Sequence, residues 1–176
     1  NDVTGDTHLI LEMQLKNEKS IVDVYGGGRC SDVSGNTNVE LKGEGVHVYS
    51  VVGGGLVDED EGAANVGKNT NITISGGAWA GDTEVSSSQP DKIAVAGGGH
   101  ILSNDPSMIG TNSDIKTATT NVGGEVHITL NGITGNLVDC IVGGCYDAGK
   151  SNAEKITGTT GPVKIDIDNC RFESQF

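Results

Sequence analysis

The chain has little from which to build a ring-filled core: among 176 residues there are one Trp, three Tyr and two Phe. Arginine is nearly missing too, present only as Arg29 and Arg171, and 11 basic residues face 24 acidic ones for a formal net charge of −13. A face that neutralises phosphates cannot be assembled from so few cations, which excludes nucleic acid as a partner. The same negative field repels anionic membranes and acidic polysaccharides, leaving surface proteins, neutral glycans and cations. No uninterrupted apolar run approaches the ~18 residues of a membrane span, so no membrane insertion is expected. The amino terminus lacks the charged-then-apolar profile of a secretory signal, and the chain is expected to be mature or cut from a longer protein. Cys30, Cys140, Cys145 and Cys170 form no CxxC and have no nearby His pair, so no zinc pattern exists and all three disulfide pairings stay open.

What the chain does have is glycine, 28 residues of it, and a repeat. One pattern is an aliphatic run ending in glycines: SIVDVYGGG at 20–28, VYSVVGGG at 48–55, KIAVAGGG at 92–99 and DCIVGGC at 139–145. The other is an alternating strand led by Thr, Asn or Gly: GDTHLIL at 5–11, GNTNVEL at 35–41, NTNITISGG at 69–77, GGEVHITLNG at 123–132 and GPVKIDIDN at 161–169. The two strictly alternate. In the second pattern apolar residues fall two apart, as in Val39 and Leu41 or Ile72 and Ile74, so one face is buried and the other wet. The glycines of the first pattern remove side chains at a corner, where the backbone turns sharply or a neighbouring repeat approaches closely. Helical spacing of apolar residues is missing, and no long helix is expected.

The corners begin at Gly26, Gly53, Gly97 and Gly143, giving periods of 27, 44 and 46 residues. A minimum period in the twenties suits one coil of a parallel β-helix, with the excess carried as loops. The expected fold is therefore all-β: a single-stranded parallel β-helix of about four and a half coils, forming one domain over residues 1–176. Loops at 29–36, 56–69, 100–123 and 146–162 would line one edge, and 78–91 would return on another side. A β-sandwich with hairpin connections is the alternative, although it does not require a repeated triple glycine. Two uncapped coil ends would leave strand edges for further repeats or for end-to-end self-association.

This alternation of VYGGG-type and GNTNVxL-type segments, from about residue 5 to 169, resembles the glycine-rich right-handed β-helix repeats of exported, adhesin-like surface proteins of anaerobic gut bacteria. The resemblance implies a cell-surface or secreted location and no particular activity. It departs at the fourth corner, GGC in place of GGG, where Cys145 has no evident role.

Candidate chemistry lies in the connections. Asp58 and Asp60, in the acidic run 58–61, together with Asp105 and Asp147 in equivalent later loops, are the carboxylates that a shared Ca²⁺ site would use, although the run lacks a calcium-loop spacing and also reads as a solvated charge cluster. Trp79 and Tyr146 are the aromatics placed in long polar loops, where a ring could stack on a sugar or anchor a protein. Residues 144–151, GCYDAGKS, match a phosphate-loop pattern, but Gly158 and Pro162 interrupt any following helix. Four scattered histidines and the sequon at Asn71 read as ordinary strand and turn residues. The functional expectation is a non-catalytic extracellular module for bacterial surface structure or adhesion, needing no cofactor. The alternatives are a fragment of a polysaccharide-cleaving β-helix enzyme, which would need converging carboxylates, and a self-assembling filament subunit.

Overall fold

The computed structural model describes residues 2–12, 21–58, 61–81, 94–101, 117–135, 141–147 and 155–172. Among them there is no helix, and every strand pair is parallel. The alternating pattern supplies one five-stranded sheet, in the order Thr7–Leu11, Thr37–Lys42, Thr70–Ser75, Val126–Asn131 and Val163–Asp168. The glycine-ended pattern supplies another, in the order Ile21–Tyr25, His47–Val52, Val95–Ala96 and Ile141–Val142, with Trp79–Ala80 also pairing onto His47–Val52. Sequence neighbours thus alternate between the two sheets, while sheet neighbours come from successive repeats.

Register is held by what lies inside. Val39 stands on Leu9, Ile72 on Val39, Ile128 on Ile72 and Ile165 on Ile128. Val39, Leu41, Ile72, Ile74, Ile128 and Leu130 are fully buried and meet Val24, Val48, Val51 and Val95 of the second sheet in one core. A slip of one residue would turn this whole aliphatic set to solvent. The first inward position carries Thr instead: Thr7, Thr37 and Thr70 donate through Oγ1 to the carbonyls of Gly26, Gly53 and Gly97 at 2.6, 2.5 and 2.6 Å. Thr37 and Thr70 are completely buried, so these bonds satisfy hydroxyls that would otherwise be costly to enclose.

The segments expected to be loops contain further short strands. Leu56–Val57, His100–Ile101 and Tyr146–Asp147 form one three-stranded sheet, and Glu61–Ala63, Thr117–Thr119 and Lys155–Thr157 form another. Two- and three-residue strands carry too little alternation to stand out in a sequence. Val57, Ala64, Ile101 and Ala118 make a second small core between these sheets.

Two side-chain ladders tie the repeats together at turns. Asp6 Oδ1 accepts from the Asn36 amide at 2.7 Å, Asn36 Oδ1 from the Asn69 amide at 3.1 Å, and Asn69 Oδ1 from the Glu125 amide at 2.8 Å. Likewise Asp2, Asp32, Asn65 and Asn121 accept in turn from the amides of Asp32, Asn65, Asn121 and Thr159. Each rung receives a backbone N–H of the following repeat, satisfying a group that no strand pairing reaches. The first ladder stops at Pro162, which follows Glu125 in register and has no N–H. Glu125 instead meets His127 at 2.8 Å.

The corners explain the glycines. A Cβ on Gly54 would lie 2.7 Å from the Gly99 nitrogen and 2.8 Å from its Cα, backbone that cannot swing away. The third corner residue faces a small partner in the next turn: Gly55 faces Ala64 and Gly99 faces Thr120, while Cys145 faces Gly158. The GGC corner is therefore an exchange of sizes, the side chain having moved from one side of the contact to the other. Cys145 is a free thiol whose Sγ donates to the Thr120 carbonyl at 2.8 Å.

Gly54→Ala is expected to destabilise the protein by about 3 kcal/mol or more in urea unfolding, because backbone must move. Gly144→Ala, where a Cβ meets nothing within 4 Å, should stay within about 0.5 kcal/mol of the parent. The amide and carboxamide of Asn36 hold the Asp6 carboxyl below the usual Asp value. A depressed folded value contributes stability present above the unfolded pKa and lost as pH falls through the folded one. Asp6→Asn, the residue found at the next two rungs, should remove that part of the acid limb of a Tm-against-pH curve while leaving Tm near neutrality little changed.

Candidate functional site

The outer side of the glycine corner gathers more chemistry than any other described surface. Arg29 bridges Leu56, which pairs with His100, which pairs with Tyr146, so these four stand in one outward column across successive repeats. Tyr25, just before the first corner, lies beside them. The His100 ring stacks between Tyr25 and Tyr146, with centroids 6.1 and 5.3 Å away and interplanar angles of 12° and 26°. Tyr25 Oη lies 3.0 Å from His100 Nδ1, a hydrogen bond that fixes the ring. Val52 and Ala96, register partners of Tyr25, are buried yet belong to neither interior core.

Asp58 lies at the rim. Its carboxylate is gripped by Arg29, with Nε 3.0 and 2.9 Å from Oδ1 and Oδ2 and Nη2 2.8 Å from Oδ2. The Cys30 thiol points to the same carboxylate at 3.6 Å, from a residue held at φ 46°. Such a fork matches a carboxylate closely, and it gives Asp58 a cationic partner across the repeat. Asp60 and Asp105 lie outside the described residues. Asp147 pairs through its backbone with Ile101, one step beyond Tyr146. Among the described residues no group of three or more His, Cys, Asp or Glu side chains is arranged to hold a metal.

The two aromatics singled out in the sequence occupy strands rather than long loops, and they stand apart. Tyr146 belongs to the corner column. Trp79 pairs with His47 on another side, where the two rings stack with centroids 3.4 Å apart and His47 Nε2 lies 2.7 Å from the Gly81 carbonyl. Both rings therefore have a face against a histidine. Sequence reasoning missed Tyr25, His100 and Arg29 as neighbours. The signal was there in register: each is the residue immediately before or after a glycine corner. His8 and His127 sit on the outward face of the first sheet, which the corner column does not share.

Burial pushes the Tyr25 phenol well above the ordinary tyrosine value, with the negative charges of Asp23 and Asp58 adding to the effect. A raised folded value favours the neutral phenol in the native state, so its stability contribution is complete below about pH 10 and is lost as pH rises through the folded value. Alkaline titration followed by tyrosinate absorbance should show a Tyr25 step that appears only with unfolding. Tyr25→Phe should delete that step, flatten the alkaline fall in stability, and cost about 1 kcal/mol near neutrality from the lost bond to His100.

No helix among the described residues is long and apolar enough to cross a membrane. Comparison with known proteins adds no relative: no family model matches the chain, and no curated protein or solved structure matches it significantly.

Proposed function

We propose that the chain is a parallel β-helix module of an exported bacterial surface protein, resembling adhesin-like repeats, with a non-catalytic role in surface architecture or adhesion. The β-helix reading is supported by the order of visits: each repeat feeds the same sheets in the same sequence, and the pairs between repeats are all parallel. Hairpin-linked sandwiches pair neighbouring strands antiparallel instead.

The observation that carries the functional reading is the occupation of the polar groups. Asp2, Asp6 and Asp32 receive amides of the next repeat, Asp58 receives Arg29, and Asn36, Asn65, Asn69 and Asn121 extend the ladders. A hydrolase or lyase keeps carboxylates converging on an open cleft. Here Asp2, Asp6, Asp32 and Asp58 each tie one repeat to another, which suits a rigid support for contacts made at its edges. The corner column of Arg29, His100 and Tyr146 offers stacking and hydrogen bonding to a surface protein or a neutral glycan.

The chain should be retained on an array of neutral glycans or on a protein surface, and Tyr146→Ala or Arg29→Ala should weaken that retention about tenfold with little loss of Tm. Incubation with polysaccharides should yield neither reducing ends nor unsaturated products, and millimolar Ca²⁺ should shift Tm by less than about 1 °C. Product release, or a calcium-dependent rise in Tm of several degrees, would replace this reading with the enzyme or the calcium-dependent adhesin.

A further inference from the structure

Val163–Asp168 stands at one end of the five-stranded sheet and, among the described residues, is paired along only one side. Val163, Ile165 and Ile167 continue the inward columns of Val126, Ile128 and Leu130, but where those three are 0% exposed, the outer three are 44%, 40% and 49% exposed. Edge strands are ordinarily blunted by proline, inward charges or bulges. This one carries Pro162 ahead of the strand and none within it, and its inward positions are all aliphatic. On the outward side Lys164 and Asp166 lie 2.7 Å apart in an ion pair, both well exposed.

The five residues Val163–Ile167 complement themselves when read backwards. About a twofold axis normal to the sheet through Ile165, an antiparallel copy sets Val163 against Ile167, Lys164 against Asp166, and Ile165 against its own equivalent. Every inward pair is then aliphatic on aliphatic, and the outward face becomes an alternating square of two lysines and two aspartates. Centring the axis on Asp166 or on Lys164 instead would oppose like charges. Head-to-tail stacking on Thr7–Leu11 is also disfavoured, because the same columns would place Asp168 over Glu12, whose cation in the chain is Lys42 at 3.7 Å.

From this we infer that the chain associates tail to tail as an isologous dimer, the strand Val163–Ile167 of one copy pairing antiparallel with that of a second. A twofold contact of this kind closes on itself.

The test is sedimentation velocity of the full chain across a wide concentration range at about 0.15 M salt, where the repulsion between net charges of −13 is screened beyond about 8 Å. A single monomer-to-dimer step that saturates is expected. Lys164→Asp and Asp166→Lys should each raise the dimer dissociation constant about tenfold or more. The double exchange K164D/D166K should restore it, since only this register exchanges one residue for the other across the axis. Both side chains are exposed, so far-UV circular dichroism should be unchanged in all variants. Monomer at every concentration, growth beyond the dimer, insensitivity to the single changes, or failure of the double exchange to restore association would each overturn the inference.

Discussion

How closely one repeat can lie on the next governs this protein. A parallel ladder fixes the spacing between strands at about 4.8 Å, and wherever the chain turns a corner the backbone of one repeat crosses the backbone of its neighbour at that distance. No side chain fits between, which is why Gly27 meets Gly55 and Gly54 meets Gly99 through backbone atoms. The threonine hydroxyls reach the corner carbonyls because the corners hold no bulk. Where a side chain is admitted, at Cys145, its opposite number has become glycine at Gly158.

The sequence made much of this legible. Period-two alternation located the strands of the first sheet and their inward residues, and the recurrence of glycine located the corners. Asn and Asp at strand starts proved harder to read, because an acid in a sequence looks like free charge whether or not it accepts an amide. Asp6 and Asp32 are rungs of ladders, and nothing at those positions distinguishes them from Asp23, which is exposed and accepts only the Ser50 hydroxyl among the described contacts.

The candidate site was less legible for a related reason. Trp79 and Tyr146 were conspicuous as aromatics among polar residues, but their strands are two residues long, below the length at which alternation becomes a signal. Their neighbours come from other repeats: Tyr25 and His100 are 75 residues apart and meet only because each flanks a glycine corner. A site assembled from one residue per repeat leaves no local motif.

The polarity of the amide ladders has a consequence for how such a chain can change in length. Each rung accepts from the repeat that follows and donates its own amide to the one before, so a duplicated repeat is accommodated as long as it brings an amide at its start and an Asp or Asn side chain beside it. Proline at that one position writes a stop. Pro162 supplies none of the hydrogen that Glu125 would need, and the carboxylate turns to His127 instead. Evolution by tandem duplication thus has a one-residue switch for ending a ladder, while the aliphatic columns beneath run on unchanged into Val163, Ile165 and Ile167.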